Sequence, residues 1–181
     1  MEDKRSLYTF IRSDGNAFTR LEDLSIDCFH GGVGVPIASS GRLRRLYARI
    51  PFFSWEERKR FVPWEQLTSL EIECTLDASI WVPLFAQCVN LENAIFDVMR
   101  ASDHDPIPTV NVTMARLTSL SVKFLVEPSS TQLFDGFRFP VLTSLHMEPG
   151  WTFPWRHSEH FHKQLSSLRT FTFVGASEHL V

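Results

Sequence analysis

Three histidines within six residues, His157, His160 and His162, form the densest set of potential metal ligands in the chain. On a helix His157 and His160 share a face, whereas His162 falls about 200° round from His160. That spacing offers two ligands where a structural zinc needs a full tetrahedral set, and no cysteine or second carboxylate is near in sequence. The expectation is a polar outer helix face, with no bound metal. Cys28 and Cys74 are candidate nucleophiles, yet spacing places no His or Asn beside either to activate a thiol. Gly31-Gly32-Val33-Gly34 invites a phosphate-loop reading, but it lacks the Lys-Ser/Thr ending and the following helix that would aim amides at a phosphate. It reads as a flexible turn. No pair of carboxylates stands out as an acid–base couple. The residues predict no enzyme and no cofactor.

The elements that would have to position any site are dominated by one recurring phrase. Leu-x-x-apolar-x-apolar starts at Leu21, Leu43, Leu67, Leu91, Leu117, Leu142 and Leu168, at successive intervals of 22, 24, 24, 26, 25 and 26 residues. Leu-Thr-Ser-Leu itself occurs three times. Such a period, with one short apolar strand per unit, is the signature of leucine-rich repeats. The predicted fold is an α/β leucine-rich-repeat solenoid. About seven parallel strands form its concave face, with short helices and irregular loops on the convex side. Its expected organisation is an N-terminal cap or degenerate strand over residues 1–20, the solenoid over 21–175 and a tail over 176–181. Cys28 and Cys74 fall at equivalent repeat positions separated by the second repeat, where Ile50 takes that place. They are expected as small buried hydrophobes, not as a disulfide.

Between the phrases the pattern varies. Leu7–Ile11 is a degenerate strand candidate, and His30–Pro36 reads as an irregular return loop. Ser54-Trp55-Glu56-Glu57 resembles a capping box opening a short helix through about Phe61. Ile80, Trp81, Leu84, Phe85 and Cys88 recur at helical spacing and predict a helix over 79–88. Residues 100–112 read as an irregular loop, Ser129–Gln132 as the cap of a single turn, and Trp155–Leu165 as a last amphipathic helix. After Phe171 and Phe173 no polar capping unit follows, so the final strand is expected either to be covered by another domain or subunit or to mark a fragment.

Composition narrows the function classes. The 181 residues are 44% hydrophobic and 22% charged, ordinary for a folded domain. A formal net charge of −3 argues against a nucleic-acid binder that works by neutralising phosphates. No apolar run approaches the roughly 18 residues of a membrane span. The opening Met1-Glu2-Asp3-Lys4-Arg5 lacks a signal peptide's apolar stretch, and three cysteines are too few for a disulfide framework. An intracellular setting, cytoplasmic or nuclear, is expected, in which the sequon at Asn111 is idle.

The outward positions of the strands then carry the functional expectation. Alternation sends Leu70 and Ile72 to the core and Ser69, Glu71 and Glu73 to the other face. Applied to all seven phrases, it selects Asp23, Asp27, Arg45, Tyr47, Arg49, Glu71, Glu73, Asn93, Asp97, Lys123, His146 and Glu148 as partner-binding candidates. Ile95 and a series of Ser and Thr residues share the face, the latter as plain solvated positions. Arg45, Tyr47 and Arg49 are the expected anchors, because Tyr and Arg are over-represented among interface hot spots.

Pro63-Trp64-Glu65-Gln66-Leu67-Thr68-Ser69-Leu70, followed by Gln87-Cys88-Val89-Asn90-Leu91, resembles the leucine-rich-repeat half of fungal F-box proteins. Those carry Trp-x-x-Leu-Thr-x-Leu openings to their strands and Cys-Pro-Asn-Leu turns; Val89 stands here where proline is usual. Phe139–Leu145 and Leu165–Leu168 are similar, so the likeness spans about residues 20–175. The resemblance implies the substrate-recognition arm of a cullin-type ubiquitin ligase, with an F-box recruiting ligase components. Residues 1–20 are too few for an F-box and lack its Leu-Pro-x-Glu-like opening. The expectation is a non-catalytic protein-interaction module whose ligand is a protein. Its alternatives are a truncated or degenerate repeat fragment, or a metal- or thiol-dependent enzyme.

Overall fold

The structure is a computed structural model that describes residues 19–27, 40–49, 62–99, 108–124, 134, 136–149 and 165–174. Leu7–Ile11, His30–Pro36, the Ser54–Phe61 helix, Ser129–Gln132, Cys28 and the histidine cluster lie outside them. So does the Trp155–Leu165 helix, except that Leu165 opens a 3-10 turn, Leu165–Ser167.

Nine strands run through the described chain: β1 (Asp23–Asp27), β2 (Arg45–Arg49), β3 (Ser69–Asp77), β4 (Asn93–Met99), β5 (Val112–Thr113), β6 (Ser119–Phe124), β7 (Phe137–Arg138), β8 (Ser144–Pro149) and β9 (Thr170–Phe173). Seven of them form one sheet in the order β1-β2-β3-β4-β6-β8-β9, every neighbour pair parallel. Each of the seven starts two residues after the leading leucine of its phrase. The fold is α/β, and its main sheet follows chain order.

A repeated turn explains that placement. The amide of each leading leucine from Leu43 to Leu168 donates to the carbonyl three residues back, as Leu67 does to Trp64 and Leu91 to Cys88. The next two amides then converge on one carbonyl of the preceding unit: Thr68 and Ser69 on Arg44, Glu92 and Asn93 on Thr68, Thr118 and Ser119 on Glu92. The same fork runs from β1 to β9. Turn and fork bring each new strand beside the last in one register.

The leading leucines 43, 67, 91, 117 and 142 are fully buried, as are the two inward strand positions that follow each of them, from Leu46 and Ala48 to Leu145 and Met147. Each Leu, Ile, Val, Phe or Met among them contributes roughly 1.5–3 kcal/mol relative to exposure, Ala48 and Ala94 less. The outermost phrases are less covered, with Leu21, Leu24 and Ile26 half-buried and Phe171 49% exposed.

The expected helix spans Ala78–Gln87 (α1). Asp77 caps it, its carboxylate accepting from the Ser79 amide at 2.8 Å and from the Ser79 hydroxyl at 2.7 Å. Trp81, Val82, Leu84 and Phe85 are buried. Trp81 meets Phe85 at 5.1 Å between ring centroids and Phe134 edge-on at 5.7 Å, and Phe85 meets Phe137 at 4.9 Å. Aromatic rings thus fill the space behind β3 and β4.

Two expectations are corrected. Of the irregular loop expected over residues 100–112, residues 100–107 lie outside the described chain, and its last residue is corrected: Val112 begins β5 and pairs with β7, the Val112 amide donating to the Gly136 carbonyl at 2.8 Å. A two-residue strand whose partner lies 25 residues further on leaves no local pattern to read. Cys74 is half-buried where full burial was expected, since the register of β3 against β4 shifts between Ile72 and Thr75 and Cys74 lies within that shift. The pairing expected to be absent, Cys28–Cys74, involves a residue outside the described chain.

Candidate binding face

The twelve candidate residues all belong to the sheet face turned away from the core, and each is exposed or half-buried. Register aligns them in rows across the strands. One row runs Asp23, Arg45, Ser69, Asn93, Ser119, Ser144, Thr170, and the next runs Ser25, Tyr47, Glu71, Ile95, Ser121, His146, Thr172. A third joins Asp27 to Arg49 and, beyond the shift in β3, Asp97 to Lys123 and Glu148.

At the β1–β2 end the expected anchors are engaged within the face. The Arg45 guanidinium forks onto the Asp23 carboxylate through Nε and Nη2. That hydrogen bond holds the Asp23 carboxyl below its ordinary range and raises Arg45. The Tyr47 hydroxyl donates to Glu73 Oε2 at 2.8 Å, which raises the Tyr47 phenol above its usual value. Arg49 lies 3.9 Å from both Asp27 and Glu73. Glu73 reaches both Tyr47 and Arg49 from the place where β3 loses its register with β4.

Further along, Lys123 Nζ is 3.0 Å from Glu148 Oε1, and that contact raises the Lys123 ammonium. Asp97 behaves oppositely to Asp23. Burial pushes its carboxyl up; Lys123 opposes the shift, and the Glu73 and Glu148 carboxylates add to it.

Between these clusters the face sinks into a recess of about 410 Å³. Ile95 and Ser121 line it from the central strands β4 and β6, with Asp97 and Lys123 two residues further along the same strands; Arg49 of β2 and Glu71 and Glu73 of β3 line it on one side, His146 and Glu148 of β8 on the other. Seven of the twelve candidates meet there. Asp23, Asp27, Arg45, Tyr47 and Asn93 do not. Ile95, 43% exposed, is the exposed apolar residue of the lining and lies outside the polar candidate set, as Phe96 and Ser121 do. The signal was in the sequence: it is the apolar residue at an outward position of the fourth phrase.

Cys88 is fully buried, its Sγ donates to the Leu84 carbonyl at 3.3 Å, and burial pushes its thiol far above the usual range. Among the described residues no group of three His, Cys, Asp or Glu side chains could hold a metal ion, and no helix is long and apolar enough to cross a membrane.

Compared with protein-family models, curated proteins and solved structures, the chain matches none.

Proposed function

We propose that this chain is a leucine-rich-repeat-type solenoid acting as a non-catalytic protein-interaction module, with the outward strand face as its binding surface. On this reading it is similar in role to the substrate-recognition arm of fungal F-box ubiquitin-ligase adaptors. One parallel strand per 22–26 residues, laid down in chain order, is the arrangement from which solenoids build concave binding surfaces.

The observation that carries the proposal is the face itself. The core uses the leading leucines and the inward positions, so stability does not require Tyr, Arg, Ile and six acids on the other side. These residues are ordered across neighbouring strands, and Arg49, Ile95 and four of the acids line a recess. Cys88, among the described cysteines, does not suit the thiol-dependent alternative, because burial disfavours the thiolate that such chemistry needs.

The test is an affinity pull-down with mass spectrometry, wild type beside Arg45→Ala/Tyr47→Ala/Arg49→Ala, with folding checked by circular dichroism. A partner retained by the wild type and lost by the folded variant is the expected result. Ligase components in the same eluate would support the F-box-like role. A folded wild type that retains nothing specific would overturn the proposal.

A further inference from the structure

We propose that the recess around Ile95 receives a lysine or arginine side chain from a basic segment of the partner protein, its aliphatic stem on Ile95 and its charged head at Glu71 and Asp97. This rests on the outward face being the binding surface.

The argument begins with charge. The face carries six acids and three bases, Arg45, Arg49 and Lys123. Each base already has acids of the same face against it: Arg45 has Asp23, Arg49 has Asp27 and Glu73, and Lys123 has Glu148. Among the described residues, Glu71 and Asp97 are the two acids of the face that no side chain meets by a salt bridge or hydrogen bond, although Lys123, the register partner of Asp97, acts on Asp97 at longer range. Both line the recess, each placed by its relation to Ile95. Glu71 is the register partner of Ile95, and Asp97 is two residues beyond Ile95 on the same face of β4.

The second strand of the argument is shape and apolarity. Ile95 is 43% exposed in a recess lined by charged side chains. An apolar floor with carboxylates beside it suits a side chain that is itself an apolar stem ending in a cation. The desolvated Asp97 carboxyl is pushed up where it stands, and an arriving cation would relieve that cost. An anionic ligand such as a phosphate would meet the four carboxylates of Glu71, Glu73, Asp97 and Glu148. Complementarity of this kind sets the specificity of an interface more than its raw affinity.

The experiment is selection from a phage-displayed random peptide library on the immobilised full chain, in parallel with Glu71→Gln/Asp97→Asn and with Arg45→Ala/Tyr47→Ala/Arg49→Ala. A selected peptide is then synthesised with a fluorescent label and measured by anisotropy. Both carboxylate changes are isosteric and lie at partly exposed positions, and circular dichroism checks the fold. Expected are peptides enriched in Lys or Arg on the wild type. Affinity should fall about tenfold on Glu71→Gln/Asp97→Asn or when the peptide's basic residue becomes norleucine, the scale of a charge-assisted hydrogen bond. Ile95→Ser should weaken binding as well, and so should raising salt from about 50 to about 500 mM. Peptides without basic enrichment that are lost on the Arg45/Tyr47/Arg49 variant would overturn the recess inference and leave the binding face standing. Peptides indifferent to every face substitution, or no selection above background, would overturn both.

Discussion

The Thr118 hydroxyl donates a 3.0 Å hydrogen bond to the backbone carbonyl of Glu92, one strand back, where the amides of Thr118 and Ser119 also converge. Thr68 does the same to Arg44 at 3.3 Å and Thr143 to Thr118 at 3.1 Å. These are the threonines of the three Leu-Thr-Ser-Leu phrases, and the contact gives that recurrence a reason. Leucine anchors the core, threonine ties one unit to the last, and serine opens the strand on the other face. Thr118→Val keeps the shape and removes only the hydroxyl. It should lower stability by about 0.5–1 kcal/mol, because the carbonyl keeps both amides. Urea denaturation measures this, and a loss above about 2 kcal/mol would assign the hydroxyl a larger role than one such bond has.

Gly136 shows where a side chain cannot go. A Cβ there would overlap the carbonyl of Val110, and backbone on that side is held by the Val112 amide bonded to the Gly136 carbonyl. Gly136→Ala should cost about 1–3 kcal/mol as β5 and β7 are forced apart. Gly41 has nothing within 4 Å of the same position, so Gly41→Ala should fall within about 0.5 kcal/mol of wild type. Equal midpoints for the two variants in urea would contradict the close approach.

Tyr47 offers a spectroscopic readout of the face. The chain has two tyrosines, so Tyr8→Phe leaves Tyr47 as the only phenol to titrate at 295 nm. Its midpoint should lie above the usual value near 10, and Glu73→Gln should bring it down. The raised folded pKa means that the bond supports folding below the unfolded phenol's pKa. That support is lost as pH rises through the folded value. A midpoint unmoved by Glu73→Gln would remove the bond from the account.

Asp97 predicts a trade between stability and binding. Its carboxyl is raised in the folded state, so stability is greatest below the unfolded carboxyl pKa and falls as pH rises through the folded one. Asp97→Asn should therefore raise the urea midpoint at pH 7, with the gap to wild type closing as the solution is acidified. The same change should weaken capture of a basic peptide. A variant that is less stable at pH 7 would show that Asp97 is already paired.

Cys88 should resist alkylation at pH 8 in the native protein and react once urea opens the core, since it is fully buried with its thiol raised. Peptide mass spectrometry after iodoacetamide treatment distinguishes the two states. Native labelling as fast as in urea would place the thiol outside the core.

Much of this was readable because a strand's side chains alternate, and the phrase repeats that alternation seven times. From the spacing of the leucines came the strand starts, their inward residues and the membership of the outward face, and from Ile80, Trp81, Leu84, Phe85 and Cys88 at helical spacing a helix over 79–88, observed at Ala78–Gln87. Each of these is decided by residues a few positions apart. The tertiary structure decided what depends on neighbours some 25 residues away. It set which acid each base of the face takes, and it left Glu71 and Asp97 beside an exposed Ile95. It put a register shift at Cys74, and it paired Val112 with Phe137. Local periodicity says which way a side chain points; only the stacking of strands says what it meets there.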